Sequence, residues 1–232
     1  MPNRSGGSEM IAEKPQYAGQ CMLCKQTFNK GQVTRHLKKC VAQHQEEAGK
    51  PVKMFHLVIE GNHMPMYWLH VEIPGALTLQ HLDAFLRDIW LECCGHLSCF
   101  TIEGQRYSVH PAEDVLFGTR EKTMGQKLYN VLGPVTKFQH EYDYGSTTEL
   151  KLRVVEFRER QVKKPDITLL ARNEAPAWEC AKCGKPATQI QATGWGLDMD
   201  SVFCDVCIGD EQEEGYLPLV NSPRTGVCGY CG

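Results

Sequence analysis

The chain has 232 residues, of which 42% are apolar and 23% are charged, and its formal net charge is -3. This composition is that of an ordinary globular protein with room for two or three domains. A charge this close to neutral excludes a surface that attracts nucleic acid everywhere, so such a partner would need a local basic patch. No stretch has the roughly 20 apolar residues that cross a bilayer, and residues 1–20 lack the apolar run of a secretory signal. We therefore expect a cytoplasmic protein with no membrane partner.

The chain contains 12 cysteines, most of them in close pairs. Paired cysteines form disulfides in secreted proteins and metal sites in proteins of reducing compartments. Because no secretory signal is visible, the sequence favours metal binding.

The first cysteine unit, residues 18–42, follows residues 1–17, which we predict to be a disordered leader. Its spacing, C-x2-C-x11-H-x3-C, resembles that of a Cys-Cys-His-His zinc finger, with cysteine as the last ligand. A unit of about 25 residues buries too little surface to fold without a metal. The predicted structural zinc ligands are Cys21, Cys24, His36 and Cys40.

The same unit is the most basic part of the chain, because no acidic residue lies between its first and last cysteine. Clustered lysine and arginine side chains are typical of contacts with phosphate, so DNA or RNA is a predicted partner. The alternative is a structural finger whose basic residues are solvated or contact a protein. The candidate nucleic-acid-binding residues are Lys25, Lys30, Arg35, Lys38 and Lys39.

The middle of the chain, residues 52–160, shows the patterns of strands and one amphipathic helix. Alternation of apolar and polar residues predicts strands, and Thr78 is placed to cap a helix with one apolar face. These elements predict an α+β domain with a β-grasp-like mixed sheet and a packed helix, flanked by two small zinc modules. The predicted strands are FHLVIEG, YWLHVEI, SCFTIEG, QRYSVH, KFQHEYDYG and TELKLRVVEFRER.

The last cysteine unit, residues 178–232, follows a charged, Pro-broken segment, residues 161–177, which we predict to be a connector or a docking helix. Its C-x2-C-x20-C-x2-C spacing is that of a zinc ribbon, and four thiolates leave no open coordination position. The expected second zinc is therefore structural. The acidic run DEQEEG repels phosphate, so a protein is the predicted partner of the ribbon. The predicted ligands are Cys180, Cys183, Cys204 and Cys207.

The remaining cysteines leave several interpretations open. Cys228 and Cys231 lie at a spacing that also allows them to share a metal with Cys204 and Cys207, or to form a redox dithiol, and an unliganded pair is favoured. A second group could hold a metal or supply a nucleophile, but its spacing matches no zinc knuckle and core packing is favoured. That group comprises Cys93, Cys94, His96 and Cys99.

Polar residues of the middle domain form a further candidate pocket made of His96, His140, Tyr142 and Asp143. Strand alternation places His140 and Tyr142 on one face and leaves Asp143 to stabilise the turn at Gly145. Acid/base chemistry is one interpretation, and a structural hydrogen-bond cluster is the favoured one.

Residues 53–160 resemble the Ri-plasmid ORF-three-like domain family, also called the transposon-passenger TnpR-like group. The resemblance rests on YWLHVEIPGALTLQHLDAFLRDIW, on HLSCF and on FQHEYDYGSTTEL, although Ser146 and Thr147 replace the Asp and Trp of many relatives. It implies an α+β fold and no assigned activity.

The sequence therefore favours a zinc-binding, non-enzymatic protein that binds nucleic acid or acts as an adaptor, and the resemblance implies an association with mobile elements. No phosphate-binding glycine loop, HExxH helix or G-x-S-x-G elbow is present. Two alternatives stay open. One is a metal- or thiol-dependent enzyme around His96 and His140, and the other is a structural subunit of a larger assembly.

Overall fold

The computed structural model describes residues 17–44, 49–111, 120–192, 198–209 and 215–232. These residues form one ten-stranded sheet, one three-stranded sheet and a few helices. The strands of the large sheet are β1 Ala18–Cys21, β2 Thr27–Asn29, β3 Lys50–Gly61, β4 Trp68–Pro74, β5 Ser98–Ile102, β6 Gln105–Ser108, β7 Lys122–Thr123, β8 Lys137–Tyr142, β9 Thr148–Val162 and β10 Thr168–Asn173. Those of the small sheet are β11 Gln189–Gln191, β12 Val202–Phe203 and β13 Tyr216–Pro218.

The α-helices are α1 Lys30–Gln43, α2 Leu79–Leu86, α3 Leu128–Val131 and α4 Asp205–Ile208. A π-helical turn, Arg87–Leu91, continues α2, and a 3-10 turn spans Met199–Ser201. None of the described helices has the length and apolar character to span a membrane.

The large sheet has the order β2-β1-β10-β4-β3-β9-β8-β5-β6-β7, and only β6 and β7 are parallel among its pairs of described strands. The predicted strands pair along the chain as the antiparallel hairpins β3–β4, β5–β6 and β8–β9. The predicted α+β class and mixed sheet are therefore confirmed.

Helix α2 packs on one face of this sheet, as its apolar period predicts. Leu79, Leu82 and Leu86 are fully buried in the main core together with Trp90 of the π-helical turn. Thr78 is the N-cap, and its backbone N–H donates to Nδ1 of His81 at 3.3 Å. The helix thus fixes the start of the loop that follows it, residues 92–97.

The N-terminal cysteine unit is built into the same sheet. Strand β1 pairs with β10 through Gly19↔Asn173 and Cys21↔Ala171, and helix α1 packs its apolar side against Trp68 and Leu170. A Cβ atom on Gly19 would lie 2.3 Å from the Trp68 ring, so only glycine allows this approach. The finger is therefore a fixed edge of the domain.

Strand β10 lies within residues 161–177, where the sequence predicts a connector or a docking helix. It pairs with both β4 and β1 and buries Leu170 and Ala171. The segment forms a strand because the edge of β4 supplies its hydrogen-bond partners. Those partners are distant in the sequence, so the local, Pro-flanked pattern does not predict the strand.

The C-terminal tail returns to the large domain after the small sheet. Trp90 Nε1 donates to the Asn221 carbonyl oxygen at 3.1 Å, and Ser222 Oγ donates to the Trp90 carbonyl oxygen at 2.7 Å. Ser222, Arg224 and Thr225 are buried. The tail is thus a packed element rather than a frayed end. The predicted leader, except Tyr17, and most of the acidic run lie outside the described residues.

Candidate metal centres

The finger cluster consists of Cys21, Cys24, His36 and Cys40, whose ligand atoms all lie within 4.8 Å of one another. The Sγ atoms of Cys21 and Cys40 are 3.8 Å apart, and Cys24 Sγ is 3.4 Å from His36 Nε2. A tetrahedral ion with bonds of about 2.3 Å to sulfur separates two sulfurs by roughly 3.8 Å. The donor set and its spacing therefore fit a zinc ion.

Local structure explains how the finger cluster forms. The Cys21 N–H donates to the Gln26 carbonyl oxygen and the Lys25 N–H donates to the Cys21 carbonyl oxygen, both at 2.9 Å, which closes a knuckle turn. Phe28 stacks on His36 with ring centroids 3.9 Å apart and fixes the imidazole. Burial lowers the pKa of His36, which favours the neutral form that binds metals.

The ribbon cluster consists of Cys180, Cys183, Cys204 and Cys207, again with all ligand atoms within 4.8 Å. The Sγ atoms of Cys183 and Cys204 are 3.7 Å apart. Burial raises the pKa of Cys180, but the backbone N–H groups of Cys204, Lys182 and Cys183 outweigh it and lower that pKa to about 6. Amides directed at sulfur favour the thiolate, which is the ligand form.

A third cluster was not foreseen as a group. It joins Cys93, Cys94 and His96, in the loop after the π-helical turn, to Cys228 of the tail, with ligand atoms within 4.8 Å. Cys228 Sγ lies 3.7 Å from both Cys94 Sγ and His96 Nε2. The favoured predictions, core packing for the loop residues and an unliganded pair at the C-terminus, do not describe this arrangement.

The third cluster does not include Cys99 or Cys231, although both lie close to its members in the sequence. Cys99 is buried in β5, where its Sγ donates to Glu141 Oε2 at 3.4 Å. Cys231 is exposed, and its Sγ donates to the Gly229 carbonyl oxygen at 3.3 Å. All the cysteines lie in the described part of the chain, and none is in a disulfide.

The candidate polar pocket is divided between two places. His140 is fully buried, and its Nε2 lies 2.7 Å from Asp83 Oδ1. His96 lies instead beside Tyr142, with ring centroids 5.7 Å apart, and its Nδ1 is 3.6 Å from Asp143 Oδ1. His140 and Tyr142 are buried on the same face of β8, as alternation predicts.

The Asp143 side chain has the predicted role in the turn after β8. Its Oδ1 accepts a hydrogen bond from the Gly145 N–H at 3.0 Å. Its own backbone is in the left-handed region, with φ at 66°, which Asp tolerates better than most residues.

The basic residues of the finger lie in two environments. Lys30 is ion-paired with Glu60 at 3.3 Å and donates to the Pro65 carbonyl oxygen at 2.7 Å. The other four are exposed, and among the described residues none of them has an ion pair. They are Lys25, Arg35, Lys38 and Lys39.

A groove of about 710 Å³ runs between the first turns of α1 and the sheet. Gln32 and Thr34 line its helix side, and Arg153 of β9 lies on its floor. A second groove of about 470 Å³ shares Arg153 and continues across the sheet past Lys151. The two grooves share Val58, Glu60 and Arg153 in their lining, and together they are called the channel beside the basic helix.

A family model described as plasmid pRiA4b ORF-3-like protein matches residues 54–191. The chain belongs to this family. No curated protein matches the chain. Among solved structures, the chain is similar to a protein of unknown function, MM3350, from Methanosarcina mazei Go1. The identity is 17% and the TM-score is 0.42, over 50% of this chain and 68% of that one.

The ORF-3-like match begins in β3 and ends at the last residue of β11. It includes the loop residues of the third cluster but neither the finger cluster nor Cys228. The third cluster thus joins the ORF-3-like region to a tail outside it. The CCGH sequence of the loop indicates candidate metal ligands, but no nearby motif indicates that Cys228 joins them.

Proposed function

We propose that this ORF-3-like protein is a zinc-stabilised, non-enzymatic nucleic-acid-binding protein that uses the exposed basic side of helix α1. The observation that carries the proposal is the position of Arg35, Lys38 and Lys39. They are exposed and without an ion pair among the described residues, on a helix whose opposite side is packed on the sheet. Cations held on a rigid element suit contacts with phosphate.

Zinc is the ion that we propose for the finger and ribbon clusters. Three cysteines with one histidine, and four cysteines, are both donor sets of structural zinc sites. Each set supplies four protein ligands and leaves no position for water, so neither ion would support turnover. When bound, zinc would hold each set of side chains together and stabilise the fold around it.

The channel beside α1 supports a polyanionic ligand. Lys38 lies one helical turn after Thr34, which lines the groove, so the exposed basic side of the helix adjoins the channel. The residues that line the channel include more cations than carboxylates. The cations are Lys30, Lys137, Lys151 and Arg153, and the carboxylates are Glu60 and Glu103.

Two further roles belong to the same proposal. The family description names a plasmid reading frame, which supports an association with mobile elements. The ribbon, whose last cysteine is followed in the sequence by the acidic run DEQEEG, is proposed to contact a protein. We do not propose an enzyme around His96 and His140, because His140 is buried against Asp83 and His96 belongs to the third cluster.

Fluorescence anisotropy of the zinc-loaded full chain tests nucleic-acid binding. The probes are a labelled single-stranded DNA of about 20 nucleotides, the matching RNA and the DNA duplex, each at several salt concentrations. Replacing Lys38 and Lys39 together with alanine should weaken binding. It should also reduce the slope of log affinity against log salt by about 2, because each lost phosphate contact removes roughly 1.

The matched control is Lys122→Ala with Lys127→Ala. It removes the same charge from β7, at the opposite edge of the sheet, and from the start of α3. This control should bind as the wild type does. Equal losses in both double variants, or no binding of any probe by the wild type, would contradict the proposal.

A further inference from the structure

We propose that the third cluster is a binding site for a thiophilic divalent ion such as zinc, and that this ion joins the C-terminal tail to the ORF-3-like domain. The site is separate from the finger and ribbon clusters and does not depend on nucleic-acid binding. It comprises Cys93, Cys94, His96 and Cys228.

The donor set meets the requirements of a zinc site. Three sulfurs and one imidazole nitrogen lie within 4.8 Å of one another. The Sγ atoms of Cys94 and Cys228 are 3.7 Å apart, which is close to the sulfur separation in the finger and ribbon clusters. A packed, unliganded group of thiols has no reason to converge on a common centre beside an imidazole.

Groups around the third cluster orient its ligands. Asp143 Oδ1 lies 3.6 Å from Nδ1 of His96, so the carboxylate is behind the ring and Nε2 points at the sulfurs. A carboxylate behind the other ring nitrogen is the common support of a metal-binding histidine. Arg224 Nη2 donates to Cys93 Sγ at 3.4 Å, which holds that sulfur in place.

The loop that carries three of the ligands is held before any ion binds. Tyr142 Oη accepts hydrogen bonds from the Cys93 N–H at 3.4 Å and from the His96 N–H at 3.3 Å. Gly95 has a φ of 71°, which lets the chain turn between Cys94 and His96. Tyr142 is therefore a positioning residue for the site.

The third cluster differs from the other two in reach and exposure. His96 and Cys228 are 132 residues apart, so an ion here closes a long loop and links two regions of the chain. The third cluster has two exposed ligands, Cys94 and Cys228, whereas the ribbon cluster has one and the finger cluster has none. We therefore infer that this ion is the first to be removed by a chelator.

Two variants test the site. The full chain is purified under reducing conditions without chelator, and zinc per chain is measured for Cys228→Ser and for the matched control Cys231→Ser. Cys228→Ser should hold one zinc fewer than the wild type, and Cys231→Ser should hold the same number. Equal zinc in both variants would overturn the proposal.

A second measurement uses the wild-type chain and so does not depend on how a variant folds. Cys94, Cys228 and Cys231 are all exposed, so an alkylating reagent reaches each of them unless a metal protects it. In peptide mapping, brief chelation of the zinc-loaded protein should speed the alkylation of Cys94 and of Cys228 at least tenfold and leave the rate at Cys231 unchanged. Unchanged rates at Cys94 and Cys228 on chelation, or a Cys94–Cys228 disulfide in the reduced protein, would overturn the proposal.

Discussion

Arg224 Nη2 lies 2.7 Å from Asp143 Oδ2, and this ion pair connects the C-terminal tail to the turn after β8. Arg224 is fully buried. Its guanidinium lies 4.7 Å from the centre of the Tyr142 ring, and the guanidinium of Arg87 lies at the same distance from that ring. The tail therefore completes a charged and aromatic group inside the ORF-3-like domain.

Replacing Arg224 with methionine should lower the free energy of unfolding by about 3 kcal/mol, because it leaves a buried carboxylate without its partner. Arg35 provides the control, because it is exposed and has no ion pair within the described part of the chain. Arg35→Met should change stability by no more than about 0.5 kcal/mol. Urea unfolding measures both. Similar values for the two variants would show that the buried pair does not hold the tail.

Replacing Tyr142 with phenylalanine should cost about 1–2 kcal/mol, because the Cys93 and His96 N–H groups lose their acceptor. Tyr129→Phe, at an exposed tyrosine, should be close to neutral. Thermal unfolding compares the two variants. If Tyr142→Phe were as stable as the wild type and kept its zinc, the hydroxyl would have no part in ordering the loop.

Replacing Gly19 with alanine should destabilise the protein by about 1–3 kcal/mol, because the added methyl group collides with Trp68. Gly31→Ala is the matched control. Gly31 lies in the first turn of α1 with nothing within 4 Å of the added atom, so this variant should be neutral or up to about 1 kcal/mol more stable. The rate of amide hydrogen exchange in β1 should rise in Gly19→Ala and stay unchanged in Gly31→Ala. An unchanged exchange rate would mean that the finger is not fixed to the sheet.

A buried histidine pair should make stability depend on pH. His56 Nε2 lies 2.9 Å from His70 Nδ1, and burial, followed by the charges of Arg158, Arg153 and Lys38, lowers the pKa of His56 to about 3. The unfolded chain binds a proton near pH 6.5 and the native chain does not. Stability is therefore complete above that pH and falls as pH drops from about 6.5 towards 3.

His56→Leu should reduce the loss of stability between pH 7 and pH 5 by about 2 kcal/mol. Leucine removes the titrating group and keeps the site apolar. His63→Leu, which removes an exposed histidine instead, is the comparison variant. Urea unfolding at pH 5, 6 and 7, with zinc content measured at each pH, compares them. Parallel curves for wild type and His56→Leu would contradict the assignment.

The sequence predicts those parts of the molecule whose partners are close along the chain. The ligands of the finger cluster fall within 20 residues, and each hairpin of the ORF-3-like domain has its turn between its strands. The spacing of the cysteines predicts the finger ligands, and the alternation of apolar and polar residues predicts the strands of the hairpins.

The features that the sequence did not predict depend on distant contacts. Cys228 reaches the loop at Cys94 only because the tail packs against Trp90 and Asp143. Strand β10 forms because β4 and β1 each offer it an edge. No local pattern records such a contact, because it is set by the packing of the whole domain.

The most direct test of metal at all three clusters is the mass of the native chain, purified under reducing conditions without chelator. Native mass spectrometry should show three zinc ions per chain, and denaturation should return the mass of a fully reduced polypeptide. Two or fewer zinc ions, or a denatured mass reduced by disulfide formation, would contradict a fold held by metal at the finger, ribbon and third clusters.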